Sequence, residues 1–183
     1  VLFADGGGTY LWSNSATTQS ITASTTGTYT VTVTNNGCTA TASQSVTVNS
    51  VTATITPAGA TTVCAPATVG LTASGGGTYL WSNSATTAAI TASTTGTYTV
   101  TVTNNGCTAT ASQSVTINSA TATITPSGPT TFCTGGSVTL FADGGGTYLW
   151  STNATTQSIT ASTTGTYTVT VTNNGCTATA SQS

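Results

Sequence analysis

The sequence contains no Lys, Arg, His or Met among its 183 residues, and its only carboxylate side chains are Asp5 and Asp143. General acid-base catalysis needs a positioned titratable side chain, and a Ser or Thr nucleophile needs a neighbouring base to take its proton. The many hydroxyl groups of this chain have no such base near them in the sequence. We therefore expect no enzymatic activity and no cofactor.

The missing cations and carboxylates also exclude several kinds of binding site. Affinity for nucleic acid depends on Lys and Arg that neutralise phosphates, so no nucleic-acid partner is expected. Calcium sites need several clustered carboxylates, and zinc sites need Cys or His at short spacing, so no metal site is expected either. No apolar stretch approaches the roughly 20 residues of a membrane helix, so we expect no membrane insertion.

Internal repetition is the strongest signal that is present. The words GGGTYLW, TTGTYTVTVTNNGC and TATASQS each occur three times, and Trp12, Trp81 and Trp150 are spaced by 69 residues. This length is too long for one turn of a solenoid and suits a small independent β domain. The sequence therefore predicts a tandem array of small domains.

The most natural boundaries fall between a closing word, VTVN or VTIN, and the opening word that follows it. They predict that 1–49 is the C-terminal part of a truncated repeat, 50–118 a complete repeat and 119–183 a nearly complete one. We expect the chain to be an excerpt of a longer array. The alternative is that an incomplete domain borrows strands from another chain.

Within a repeat, apolar and polar residues alternate with a period of two, which predicts short antiparallel strands. In 97–103, Tyr98, Val100 and Val102 point to one face, and the intervening threonines point to the other. Asn104-Asn105-Gly106 then supplies the residues of positive φ that a tight hairpin requires. About seven such strands per repeat predict an all-β fold of tandem immunoglobulin-like antiparallel sandwiches.

The five cysteines predict one disulfide in each repeat. Cys64 and Cys107 are 43 residues apart, as are Cys133 and Cys176, so we expect the pairs Cys64–Cys107 and Cys133–Cys176. The partner of Cys38 would lie outside the chain. Such bridges imply an oxidising, extracytoplasmic location.

Two groups of aromatic residues are candidates for binding. Trp81 and Tyr79 are expected in the core, and the alternative is that both face outward as a platform on which a sugar could stack. Phe3 and Phe141 are expected to point outward from the second strand and mark a candidate lateral contact. Tyr98 either forms a tyrosine corner, in which its hydroxyl bonds to upstream backbone, or is a simple core residue.

The words GTYLWSNSATT, ITASTTGTYTVTVTNNGCTATAS and TITPSGPTTFC resemble the PKD-like or immunoglobulin-like repeats of giant secreted surface proteins of Bacteroidota, including the SprB-like gliding adhesins. The resemblance covers essentially the whole chain. It implies export to the cell surface, long arrays, and roles as a stalk, adhesin or appendage.

These observations favour a non-enzymatic structural repeat of an extracellular fibre, filament or adhesin stalk, secreted or on the cell surface. A formal net charge of −2 offers little repulsion against self-association into a fibre or array. One alternative is an adhesin module that binds a carbohydrate or a surface, with polysaccharide as the partner. Another is a passive spacer of a secreted hydrolase.

Overall fold

The alternation of threonine with valine, isoleucine or alanine produces β-strands throughout the computed structural model, which describes residues 1–183. No helix is formed. The strands are β1 Leu2–Phe3, β2 Thr9–Trp12, β3 Ser20–Ile21, β4 Gly27–Asn35, β5 Cys38–Val46, β6 Thr54–Pro57, β7 Thr62–Cys64, β8 Val69–Ser74, β9 Thr78–Trp81, β10 Ala89–Ala92, β11 Gly96–Asn104, β12 Cys107–Asn118, β13 Thr123–Pro126, β14 Val138–Asp143, β15 Thr147–Trp150, β16 Ser158–Ala161, β17 Tyr167–Asn173 and β18 Cys176–Gln182.

Units 1, 2 and 3 denote here residues 1–49, 50–118 and 119–183, the repeats that the sequence predicts. Unit 2 has seven strands in two sheets, ordered β10-β8-β6 and β7-β12-β11-β9. The first, third and fifth of these strands thus form one sheet, and the second, fourth, sixth and seventh form the other, which gives a two-sheet sandwich of the immunoglobulin type. All pairs are antiparallel except that of β7 with β12. The predicted all-β, immunoglobulin-like fold is confirmed.

Units 1 and 3 have the same layers with fewer strands. Unit 3 consists of the sheets β13-β14-β16 and β15-β17-β18. Unit 1 consists of the sheets β1-β3 and β2-β4-β5, with no counterpart of β6 or β7. Because β8 pairs on both sides whereas β1 pairs only with β3, one edge of β1 is open.

Each unit has its own hydrophobic core between its two sheets, built by the apolar half of the alternating pattern. A buried tryptophan lies at the centre of each core, namely Trp12, Trp81 and Trp150. The unit 2 core also contains Leu71, Val100 and Val102, none of which has solvent exposure. No buried residue of the chain is polar or charged.

The hairpin between β11 and β12 forms as the sequence predicts. Asn104 pairs with Cys107, which leaves Asn105 and Gly106 as a two-residue loop with φ values of 48° and 76°. Two consecutive residues of positive φ are the requirement of a type I′ turn, whose twist matches that of the flanking strands. Units 1 and 3 repeat this hairpin at Asn36-Gly37 and Asn174-Gly175.

The tyrosine corner is also confirmed. The Tyr98 hydroxyl donates to the carbonyl oxygen of Thr94 at 3.1 Å. Tyr29 and Tyr167 make the same bond to Thr25 and Thr163, each at 3.0 Å. The hydroxyl therefore ties the loop before β4, β11 or β17 to that strand in each of the three units.

Candidate functional site: unit junctions and an open groove

The aromatic platform does not exist in this fold. Trp81 is only 2% exposed, and its indole Nε1 donates to the carbonyl oxygen of Thr87 at 2.9 Å. Tyr79 is half-buried against the same core, and the residue between them, Leu80, is 54% exposed. A sugar platform would need Tyr79 and Trp81 on the solvent side of β9, but they lie on its core side. Burying the tryptophan removes more apolar surface from water than burying the leucine would. The platform reading of Tyr79 and Trp81 is wrong, and the core reading is correct.

Phe3 and Phe141 both point outward, as predicted. Phe3 is 78% exposed and Phe141 is 47% exposed. The difference follows from strand pairing, since Phe141 lies opposite Thr125 of β13, whereas Phe3 has no strand on that side. Their role in a lateral contact stays a prediction.

The disulfide joins two units and not the two ends of one unit. Cys64 is bonded to Cys176, with their Cα atoms 5.5 Å apart and a sequence separation of 112. Cys38, Cys107 and Cys133 are free. The predicted pairs Cys64–Cys107 and Cys133–Cys176 are therefore wrong in this structure.

Strand geometry explains the correction. Cys64 at the end of β7 lies opposite Asn118 at the end of β12, whereas Cys107 is the first residue of β12. At about 3.3 Å per residue the two ends of β12 are roughly 35 Å apart. A disulfide needs Cα atoms within about 7 Å of each other. Within a unit, the two cysteines thus lie at opposite ends of the sandwich and cannot meet.

The junction of units 2 and 3 brings the right cysteines together. The hairpin of unit 3 lies against the end of β12, where the Asn118 side-chain amide donates to the carbonyl oxygen of Asn174 at 3.3 Å. Cys176 follows this hairpin and is buried. Cys64 and Cys176 therefore meet at the junction because each stands at the end of its unit that faces the other.

The junction of units 1 and 2 has the same arrangement with one cysteine only. Cys107 corresponds to Cys176 after one period of 69 residues, and Asn49 corresponds to Asn118. The Cys107 thiol lies 3.6 Å from the carbonyl oxygen of Asn49. Cys107 thus stands at the position that Cys176 occupies in the junction disulfide, and its thiol is free.

A groove of about 370 Å³ opens on unit 1. Its apolar floor comes from β4 and β5, and its rim contains Phe3, Asp5 and Cys38. In unit 2 the side chains of Val51, Ala53 and Ile55 pack at the corresponding place. In unit 3 Ala122 and Ile124 do so. The groove is therefore the position that the opening strand occupies in the other two units.

A second groove, of about 400 Å³, lies at the far end of unit 3. Phe132, Val138 and Tyr167 are among its lining residues. In unit 2 the corresponding place is covered by β7 and by the last residues of β12. The counterparts of both grooves in unit 2 are therefore covered by β6, β7 and the end of β12.

The outer face of the larger sheet is a ladder of hydroxyl groups. Across β11 and β12, Thr99 bonds Ser112 at 2.8 Å and Thr97 bonds Ser114 at 3.2 Å. Units 1 and 3 repeat these pairs, for example Thr30 with Ser43 and Thr168 with Ser181, both at 2.9 Å. Cross-strand hydroxyl pairs of this kind stabilise a solvated sheet face without any charge.

The two carboxylates do not form a site. The Asp143 carboxylate accepts a hydrogen bond from the backbone N–H of Gly144 at 2.7 Å and so closes a turn. Asp5 is exposed at the equivalent turn of unit 1. No three His, Cys, Asp or Glu side chains come together as ligands for a metal ion.

The structure has no helix with the length and apolar character needed to cross a membrane.

Comparison with known proteins gives similarity to solved structures only. No family model matches the chain, and no curated protein matches it. It is similar to the N-terminal eight Ig domains of the Down Syndrome Cell Adhesion Molecule (DSCAM), with 16% identity and a TM-score of 0.36, over 90% of this chain and 27% of that one. It is also similar to extracellular domains 3–5 of Drosophila OTK, with 14% identity and a TM-score of 0.41, over 90% and 72%. Domains A168–A170 of titin align with 16% identity and a TM-score of 0.33, over 83% and 70%.

The chain therefore spans about a quarter of the DSCAM structure that it matches. Because these TM-scores lie well below those of closely superposable folds, the immunoglobulin-like architecture rests on the strand order and pairing of the chain itself.

Proposed function

We propose that the chain is a structural module of an extracellular fibre, filament or adhesin stalk, built from immunoglobulin-like units that disulfides lock together in series. The observation that carries the proposal is the Cys64–Cys176 bond between units 2 and 3. A bond inside one unit stabilises that unit alone, whereas a bond across a junction also restricts how the two units move relative to each other. A stalk that must keep its shape needs the second kind of bond.

The position of this bond also determines the path of a pulling force. Tension applied at the two ends of the chain reaches Cys64, crosses the disulfide and leaves from Cys176. The residues between them, which span a sequence separation of 112, lie in a closed covalent loop and carry no tension. The core of unit 3 and most of unit 2 are thereby shielded while the bond is intact.

Composition supports an exposed location outside the cell. The chain lacks Lys and Arg, so it offers no cleavage site to trypsin-like proteases, and its disulfide suits an oxidising compartment. The resemblance to repeats of Bacteroidota surface proteins supports the same assignment. With few charges and hydroxyl-covered faces, neighbouring copies can pack side by side without burying charge.

Single-molecule stretching of the tethered chain tests the proposal. Under oxidising conditions we expect the segment between Cys64 and Cys176 to add nothing to the measured contour length. Reduction should then add roughly 370–400 Å of contour length, since an extended residue spans about 3.3–3.6 Å. The variant Cys133→Ser, which removes an exposed free thiol, is the matched control and should stretch like the original chain. An equal contour length before and after reduction would contradict the proposal.

Imaging of the parent protein by negative stain tests the fibre itself. Ordered filaments with an axial repeat are expected. Isolated flexible beads would contradict a role in a fibre and favour the passive spacer.

A further inference from the structure

One turn of unit 3 carries a short sequence that the other two units lack. Asn153-Ala154-Thr155 is the one place in the chain where a single residue other than proline separates an asparagine from a following serine or threonine. This triplet is the acceptor sequence for N-linked glycosylation, which occurs on surface loops of exported proteins. We propose that Asn153 carries an N-linked glycan, transferred to it from a lipid-linked glycosyl phosphate.

The same turn in unit 2 uses its asparagine differently. The Asn83 side-chain oxygen accepts a hydrogen bond from the backbone N–H of Ala85 at 3.2 Å and so helps to close the turn. In unit 3, Thr152 stands at that position, and Asn153 stands at the next one, where unit 2 has Ser84. The threonine that completes the triplet has a counterpart in every unit, so the position of the asparagine alone creates the acceptor.

The backbone at this position suits asparagine. Asn153 has a φ of 64°, and its counterparts Ser15 and Ser84 have φ values of 69° and 67°. Asparagine enters this left-handed region more readily than most residues that carry a side chain. The turn therefore accommodates Asn153 with its backbone unchanged from the other two units.

The turn is fixed by its backbone and leaves the acceptor side chains in solvent. The N–H of Asn153 donates to the carbonyl oxygen of Trp150, and the N–H of Trp150 donates to that of Ala154, both at 2.9 Å. Ala154 packs against the core of unit 3. Asn153 and Thr155 on either side of it are exposed. A glycan on the Asn153 amide would therefore displace no contact of the core.

The turn also lies away from the junction with unit 2. Its first residue, Ser151, donates its N–H to the carbonyl oxygen of Thr168 near the start of β17. The junction contact is made by Asn174, beyond the other end of β17. At about 3.3 Å per residue, the two places are roughly 20 Å apart along the strand. A glycan on this flank would leave the Cys64–Cys176 bond and the series linkage of the units undisturbed.

The transfer is a substitution at the anomeric carbon of the donor sugar. The Asn153 Nδ2 forms the new C–N bond, the C–O bond to the phosphate breaks, and the phosphate leaves with the electron pair on its lipid carrier. Nδ2 loses one proton to a base of the transferase. No oxidant or reductant is required, and the hydroxyl of Thr155 is the group by which the triplet is recognised.

Mass spectrometry of the parent protein, isolated from the cells that produce it, tests the proposal. Trypsin cannot be used because the chain has no Lys or Arg, but chymotrypsin cleaves after aromatic residues. Cleavage after the core tryptophan and after the corner tyrosine releases peptide 151–167 from unit 3 and its counterpart 82–98 from unit 2. We expect the first peptide to carry the added mass of a glycan, and electron-transfer fragmentation to place that mass on Asn153.

Peptide 82–98 is the internal control, because Asn83 is exposed in the same turn but has an alanine two residues later. We expect no glycan on Asn83. In the producing cells, the variant Thr155→Val should abolish the glycan, since it removes the recognised hydroxyl and keeps the branched shape, whereas Thr155→Ser should retain it. The variant Thr86→Val makes the same change in unit 2 and should leave the glycan on Asn153 unaltered.

An unmodified peptide 151–167 would overturn the proposal, and so would glycans confined to its serine and threonine hydroxyls. Equal modification of Asn83, or unchanged occupancy of Asn153 in the Thr155→Val variant, would overturn it as well. The glycan is read from peptide masses, whereas the structural function is read from extension under force. The two proposals can therefore fail separately.

Discussion

Units 1 and 2 share almost every word of sequence and differ in what covers their sheets. Val102 of unit 2 has no exposure, whereas Val33, the same residue one period earlier, is half-buried. The contrast arises because β6 and β7 complete the sheets of unit 2, whereas residues 1–49 form only the counterparts of the later strands. It teaches that the opening strand completes the core of a unit, whereas the hairpin and the tyrosine corner form without it.

The junctions of the chain provide a second contrast. Units 2 and 3 are joined by a disulfide, and units 1 and 2 are held at the same place by a contact of a thiol with a carbonyl oxygen. Matched substitutions in units 1 and 2 therefore measure how much β6 and the Cys64–Cys176 disulfide each contribute to the free energy of unfolding.

The largest effect is expected from breaking the junction bond. The variant Cys64→Ser should lower the free energy of unfolding of units 2 and 3 by about 4–5 kcal/mol, because closing a loop of this size removes that much entropy from the unfolded chain. Chemical denaturation followed by tryptophan fluorescence measures it. The control Cys133→Ser should be close to neutral, and an equal loss in both variants would mean that the bond does not form in solution.

A smaller effect is expected from the core. Leu71 has no exposure, so Leu71→Ala should destabilise unit 2 by roughly 2–5 kcal/mol. Its counterpart Leu2 is only half-buried, and Leu2→Ala should cost less than half as much. Native-state hydrogen exchange of the two units measures each loss separately. Equal losses would show that the open groove closes in solution.

The strands, the hairpin and the buried tryptophan of a single unit could be predicted from sequence, because each depends on residues close together in the chain. The alternation in 97–103 predicts β11, Asn104-Asn105-Gly106 predicts the hairpin, and burial of Trp81 follows from its size. These features depend on neighbours in the chain or on one sheet.

The disulfide could not be assigned in the same way. The predicted pairs leave one free thiol, Cys38, whereas the Cys64–Cys176 bond leaves three, so the cysteine count favours the wrong pairing. The decision depends on the parallel register of β7 with β12, which puts Cys64 at the end of the unit away from Cys107. That register is a contact between distant segments, and only the folded arrangement of two successive units shows it.

A third comparison concerns the glycines that the opening strand approaches. Gly75 and Gly6 have φ values of 149° and 119°, so alanine is strained at both positions. Only Gly75 has a backbone oxygen in the place of the added Cβ. Overpacking costs roughly 1–3 kcal/mol, and Gly75→Ala should exceed Gly6→Ala by that amount in thermal or chemical unfolding. A similar cost at both sites would mean that backbone strain alone sets the destabilisation, and that the clash with the Thr52 carbonyl oxygen adds nothing.

The smallest effect is expected at the tyrosine corner, and here the two units should agree. The Tyr98 hydroxyl donates to Thr94 at 3.1 Å, and Tyr29 donates to Thr25 at 3.0 Å, although unit 1 lacks the opening strand. Tyr98→Phe and Tyr29→Phe each remove two exposed hydrogen bonds, one to the carbonyl oxygen and one to the side-chain oxygen of the same threonine, and each bond is worth about 0.5–1.5 kcal/mol. Hydrogen exchange of β11 and β4 should report equal losses. A larger loss of stability in unit 1 would show that the tyrosine corner contributes more to a unit in which no strand covers β1 on its open edge. The stability of one sheet would then depend on the other sheet of the same sandwich.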